Sequence, residues 1–196
     1  MEPIEPLMDA GLAPAGTRRQ VARPAAGLVA LLAGLGAGLA TGRPAHAAAP
    51  YDWRVVRNGL EGRQLGDGAG CRLVNVTAGD VLAYGVREEG INLVWQNVDG
   101  QENVRFYKVG GGVIRYGDRV ALYVQGGAYV KYGEREQGIN LVWSSTRVYD
   151  WEFVGGTPGA PVVTGTPYFH GLRNTTVQQF VVYGERRNGI NLVWYG

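Results

Sequence analysis

Hydrolysis or group transfer needs a nucleophile with a base in reach, and this 196-residue chain holds few candidates for either: one cysteine, Cys71, and two histidines, His46 and His170. A Ser-His-Asp or Cys-His arrangement depends on the histidine to carry the proton. His46 lies in an N-terminal segment with the pattern of a removable leader, which leaves His170. That residue shares its slot in an internal repeat with Cys71 and Val120. A slot that takes Cys, Val or His reads as a half-buried packing position. Zinc requires three or four His, Cys or carboxylate ligands, and no such set is spaced for it. The carboxylates Glu88, Glu89, Asp52 and Asp150 would serve a glycosidase only as a pair at a defined separation, and near-identical units offer no unique pair. The expectation is therefore a chain without catalytic residues, metal or cofactor, one that binds.

The polar residues that recur are better candidates. Tyr84–Trp95 reads YGVREEGINLVW, Tyr132–Trp143 reads YGEREQGINLVW, and Tyr183–Trp194 reads YGERRNGINLVW, at spacings of 48 and 51 residues with nine of twelve positions identical. Arg87, Arg135 and Arg186, with Asn92, Asn140 and Asn191, would supply donors and acceptors to three equivalent shallow pockets suited to sugar hydroxyls. A structural reading of the same residues has each Arg pairing with Glu88, Glu134 or Glu185 and each Asn satisfying the backbone of its own turn.

These residues must be positioned by strands. Each unit alternates with period two and is rich in Val, Tyr and Leu. Gly85 and Gly90, and their copies, bracket a short hairpin connection. After it Ile91, Leu93 and Trp95 share one strand face while Asn92 and Val94 take the other, so Trp95, Trp143 and Trp194 are expected in the core. Leu82, Val130 and Val181 share an inward slot, because Lys131 occupies the neighbouring one. Earlier strands start at Cys71, Val120 and His170. Tyr51-Asp52-Trp53 is echoed by Tyr149-Asp150-Trp151, with Asn103-Val104 as a degenerate middle copy. The total is about four strands per copy and twelve in all, in repeats spanning roughly residues 51–96, 102–144 and 149–196.

Three units of this length, each closed by a Trp, resemble the β-trefoil superfamily over Tyr51 to Gly196; propellers use four or more blades, and a three-sided β-prism is the alternative. Leu93, Leu141 and Leu192 stand where ricin-type lectins carry the Gln of Gln-x-Trp. The phrase from Gly117 to Leu122 followed by Ala128-Tyr129-Val130 is more similar to MIR- and fascin-type trefoils. That resemblance implies glycan or protein contacts. The Gly/Pro-rich stretch 155–167 reads as a loop breaking the repeat, the alternative site for a protein partner or a target protease.

Residues 1–47 have the order of an export signal: Arg18-Arg19 and Arg23, an apolar Ala/Gly-rich run from Ala25 to Ala40, then Ala45-His46-Ala47. The paired arginines resemble a twin-arginine signal. Sixteen mostly apolar residues approach the roughly 20 that span a bilayer, but their Gly/Ala-rich composition makes a poor anchor, so no stable membrane anchor is expected. Removing four arginines and three acids with this segment takes the totals of 19 and 17 to 15 basic and 14 acidic residues, a formal charge of +1. That balance offers no footprint for nucleic acid. A single cysteine permits no intrachain disulfide. The expected mature form, residues 48–196, is a secreted or periplasmic monomer that binds a glycan or a secreted or cell-surface protein. The intact mass of the exported protein should correspond to a chain starting at Ala48, and replacing Arg18 and Arg19 with Lys should retain the precursor in the cell; unchanged export would point to the general secretory route.

Overall fold

The structure is a computed structural model that describes residues 50–97 and 99–196; the expected leader, 1–47, lies outside the described residues. The described chain is all β, with twelve strands. The first copy contributes β1 (Trp53–Val56), β2 (Gly70–Asn75), β3 (Asp80–Tyr84) and β4 (Leu93–Gln96). The second contributes β5 (Val104–Lys108), β6 (Val120–Val124), β7 (Tyr129–Tyr132) and β8 (Leu141–Ser144). The third contributes β9 (Trp151–Val154), β10 (Gly171–Asn174), β11 (Gln179–Tyr183) and β12 (Leu192–Tyr195). No helix among the described residues is long and apolar enough to cross a membrane.

Strand pairing closes on itself. β1 pairs β2, β2 pairs β5, β5 pairs β6, β6 pairs β9 and β9 pairs β10, all antiparallel. A bridge between Trp53 and His170, with backbone bonds of 3.1 and 2.7 Å, returns the circuit to β1. Closure leaves no open edge among these six strands. Each copy then adds a hairpin, β3–β4, β7–β8 or β11–β12, paired onto β2, β6 or β10.

Alternate inward residues of the circuit fill one core, in which Trp53, Val55, Leu73, Phe106, Trp151, Phe153 and Leu172 are all buried. Phe106 and Phe153 meet edge to face with centroids 4.7 Å apart. Leu65, Ile114 and Val162 join the three copies by a cycle of backbone bonds: Leu65 N–H donates to Val162 C=O, Val162 to Ile114 and Ile114 to Leu65, at 2.8 to 2.9 Å. Val162 belongs to the Gly/Pro-rich stretch expected to break the repeat. Instead that stretch takes the place of the first two copies' connections, with Val162 and Thr164 fully buried and residues 155–159 exposed. Its composition hid the equivalence, because one apolar residue and backbone bonding are all the position needs.

The order of tryptophan burial also differs from expectation. Trp53 and Trp151 are the buried pair, whereas Trp95, Trp143 and Trp194 are partly buried and pack against the core from the hairpins. The buried pair belongs to an Asp-Trp clamp that ties each copy to the preceding hairpin. Trp53 Nε1 donates to Val181 C=O at 2.6 Å, and Asp52 accepts from Asn75 Nδ2, from the N–H and hydroxyl of Thr77 and from Tyr183 N–H. Trp151 Nε1 donates to Val130 C=O at 2.7 Å, and Asp150 accepts from Tyr132 N–H and Asn174 Nδ2. In the degenerate middle copy Asn103 Nδ2 takes over the tryptophan's bond, donating to Leu82 C=O at 3.2 Å.

Candidate ligand-binding site

The three loops between hairpin strands, 85–92, 133–140 and 184–191, meet where the copies converge. Gly90, Gly138 and Gly189 all have left-handed φ, at 79°, 82° and 83°. Any Cβ there would lie 3.0 to 3.2 Å from the Cα of a sister glycine. Only glycine satisfies both the dihedral and the approach. Each arginine then crosses to a neighbouring loop: Nη2 of Arg87 donates to Gly189 C=O at 2.6 Å, that of Arg135 to Gly90 C=O at 2.8 Å, and that of Arg186 to Gly138 C=O at 2.6 Å. The arginines thus brace one another's loops in a cycle, and no ion pair with Glu88, Glu134 or Glu185 is formed.

The asparagines close their own loops. Oδ1 of Asn92, Asn140 and Asn191 accepts the N–H of Arg87, Arg135 and Arg186 at 3.1 to 3.2 Å, and the same asparagines' carbonyls accept from Gly85, Gly133 and Gly184. The expected outward position on the last strand is corrected here. The strands begin only after the asparagines, at Leu93, Leu141 and Leu192, each preceded by a tight turn in which the leucine N–H returns to the isoleucine two residues back. That turn rotates the asparagine toward its loop.

All nine invariant positions of the repeat have a contact that explains them. Tyr84, Tyr132 and Tyr183 lie against Trp143, Trp194 and Trp95 of the next copy, with centroids 5.9 to 6.2 Å apart. Gly85, Gly133 and Gly184 leave room for Val94, Val142 and Val193, whose methyls would stand 2.5 to 2.6 Å from an added Cβ. Ile91 and Leu93 and their copies are buried. The three variable positions, residues 86, 88 and 89 and their counterparts, are exposed apart from the half-buried Asn188, as is the invariant Arg135; Val86 is 82% exposed.

Between neighbouring loops lie three clefts of about 320, 400 and 430 Å³. Val94, Val142 and Val193 each contribute to one. Arg87 lines the first, Arg135 the second and Arg186 the third, while Asn92, Asn140 and Asn191 line none of the three. The walls come from the variable positions: Glu88, Glu89, Arg187 and Asn188 in the first, Glu88, Glu89, Glu136 and Gln137 in the second, Glu136, Gln137, Arg187 and Asn188 in the third. The second adds Glu134 and so sets four carboxylates against one guanidinium. Of these wall residues the sequence singles out Glu88, Glu89 and Glu134, as carboxylates or arginine partners and not as cleft walls; for the rest, variation within an otherwise fixed loop is the available signal.

Cys71 and His170 are fully buried, beyond the half-burial expected of them, and each has its own partner. The Cys71 thiol faces Val104 C=O at 3.4 Å, and burial, with Glu102's charge second, pushes it up to about 12, so no thiolate forms near neutral pH. His170 Nε2 lies 3.0 Å from Val163 C=O and must carry the proton, leaving Nδ1 to accept from the Tyr116 hydroxyl at 2.8 Å. Burial pulls its pKa down to about 4. Among the described residues no group of three or more His, Cys, Asp or Glu is placed to hold a metal ion. No family model, curated protein or solved structure matches the chain.

Unfolding releases His170 to its ordinary value of 6.5, so below that pH the unfolded chain takes up a proton that the folded chain refuses until about pH 4. Stability should be full above pH 6.5 and fall as pH drops toward 4, by on the order of 3 kcal/mol. Asp150, raised by burial, acts in the opposite sense nearer the carboxylate range. Denaturant unfolding between about pH 7 and pH 5 reads the histidine's effect; a flat profile in wild type, or the same slope in His170→Gln, would contradict it.

Proposed function

We propose that this chain is an exported, non-catalytic binding module of the β-trefoil type, and that it binds glycans through the three clefts between its hairpin loops. The trefoil reading draws support from the closed six-strand circuit capped by three hairpins, each copy supplying two circuit strands and one hairpin. The observation that carries the function is the division of labour in the loop. Invariant residues brace it, and the variable ones line clefts of a size suited to small ligands.

The lining chemistry favours a polyhydroxylated ligand. A valine floor can take the C–H face of a sugar ring, carboxylates accept from hydroxyls, and each guanidinium has five N–H groups of which its loop carbonyl takes one. Arg87, Arg135 and Arg186 therefore serve as both braces and contacts, and Asn92, Asn140 and Asn191 act by holding the arginine backbone in place. The clefts differ in charge, so neutral glycans fit all three, and the carboxylates of the second disfavour anionic ones. The Gly/Pro-rich stretch gains no support as an inhibitory loop, since its middle, with Val162 and Thr164 buried, is held in the fold between exposed residues 155–159 and 166–167.

A glycan array probed with residues 48–196 should give binding to neutral glycans. Glu88→Ala/Glu136→Ala/Arg187→Ala, which touches every cleft, should weaken it by more than about tenfold because linked weak sites lose avidity together. Its Tm should stay within about 2 °C of wild type, since the altered side chains are surface groups, while Arg135→Ala lowers Tm by removing a charge-assisted bond. Glycan binding unchanged in the triple variant, or absent altogether, would refute the reading.

A further inference from the structure

One junction between copies lacks the Asp-Trp clamp. At the third-to-first junction Asp52 is met by Asn75, and at the second-to-third Asp150 is met by Asn174. At the first-to-second junction the places of the aspartate, tryptophan and asparagine hold Asn103, Val104 and Val124, the last two paired as Trp53–Asn75 and Trp151–Asn174 are. Asn103 Nδ2 is used on Leu82 C=O, but its Oδ1 is buried and has no hydrogen-bond partner. Val124 has no donor to offer it. The N–H of Tyr84 does not reach it, although the equivalent Tyr132 and Tyr183 N–H groups both donate to the clamp aspartates.

The missing tryptophan changes the shape as well as the polarity. Trp95 stands beside both Trp53 and Tyr183, and Trp194 beside both Trp151 and Tyr132. Trp143 keeps only its tyrosine, Tyr84, and the β6–β7 turn folds against the two rings: a Cβ on Gly126 would meet Tyr84 at 3.1 Å, and one on Gly127 would meet Trp143 at 2.5 Å. Beside them a cleft of about 390 Å³ opens, lined by Tyr84, Gln96, Gln101, Asn103, Gln125 and Gly126 among others, with no charged side chain in its wall. The three loop clefts all carry carboxylates and guanidinium groups.

We infer that this junction is a separate, single binding site for a small uncharged polyol, of the size of one hexose unit. Carboxamides both donate and accept, as hydroxyl groups do, and so match a neutral polyol without the desolvation cost of a buried charge. The tyrosine edge and the glycine backbone supply the apolar contact that a sugar ring needs. The unpartnered oxygen at this junction belongs to Asn103, a residue that lines this uncharged cleft; Oδ1 of Asp150 at the second-to-third junction also lacks a partner. The site is independent of the loop clefts and stands or falls apart from them.

Methyl glycosides of glucose, galactose, mannose and N-acetylglucosamine, titrated into ¹⁵N-labelled protein, should include at least one that saturably shifts the Asn103 and Gln125 side-chain amides and the Tyr84 backbone, with Kd in the range of about 1 mM to 10 mM. Glucuronate and glucosamine should bind at least about tenfold more weakly, since neither charge finds a counter-ion. Gln96→Ala/Gln125→Ala should lose about tenfold in affinity with Tm unchanged, because the altered groups are exposed. Val124→Asn, which copies the residue of the other two junctions, should lose a similar amount by supplying the donor internally. Signals from Glu88 and Asn188 report the loop clefts separately. No shift at Asn103 and Gln125 with any neutral glycoside up to about 50 mM, or an unchanged affinity in either variant, overturns the proposal.

Discussion

Three glycines in contact set the terms for this fold. Gly90, Gly138 and Gly189 approach until a sister Cα would stand 3.0 to 3.2 Å from any Cβ, and all three have left-handed backbone. With the loops this close, each glycine carbonyl comes within reach of a guanidinium from another copy. Each tyrosine that ends a hairpin's first strand lies against a tryptophan of the next copy. Both interactions run in cycles, one to the preceding copy and one to the following. Each copy thus completes a neighbour, and the Leu65–Ile114–Val162 backbone cycle joins the same three copies again. A side chain at any of the three glycine positions would push a neighbouring loop away.

A cyclic arrangement constrains the residues that close the cycle and frees those that do not, and this is why the loops can keep nine positions and vary three. Departures from symmetry are local for the same reason. Val104 replaces a buried tryptophan, yet the second copy keeps its strands in register with β6 and β7. Asn103 recovers the lost tryptophan bond to the preceding hairpin, and two glycines bring the β6–β7 turn onto the exposed rings. What is not recovered is a partner for the Asn103 carbonyl oxygen.

Much of the frame was legible in the sequence. The repeat, the strand periodicity, the glycine-bracketed loops and the inward slot of Leu82, Val130 and Val181 follow from local pattern, and the twelve strands realise it. The partners of the arginines were not legible. They lie 102, 45 and 48 residues away and are backbone carbonyls, which carry no side-chain signature. A nearby Glu is the natural local choice for a guanidinium, and closure of the circuit overrides it. The asparagines were misplaced because strand periodicity was carried one turn too far. Period two says nothing of a turn whose leucine N–H bonds two residues back. For the tryptophans, sequence could rank the residues as buried but not separate those on circuit strands, Trp53 and Trp151, from those on the capping hairpins. Residues 86, 88 and 89 and their counterparts were legible only as noise in the repeat, and their place on the cleft walls required the geometry.

The contact of the three glycines can be weighed against backbone strain alone. Gly110, with φ of 79°, has open space where a Cβ would stand, whereas Gly138, with φ of 82°, would bring its Cβ to 3.0 Å from the Gly90 Cα. Alanine at either position incurs the cost of left-handed backbone, about 1 kcal/mol. Only alanine at 138 must also part the loops and disturb the arginine cycle. Denaturant unfolding of Gly110→Ala and Gly138→Ala should show the second to lose at least about 2 kcal/mol more than the first. Equal losses would mean that the three loops stand apart in solution and that the hairpins are not held together at the axis.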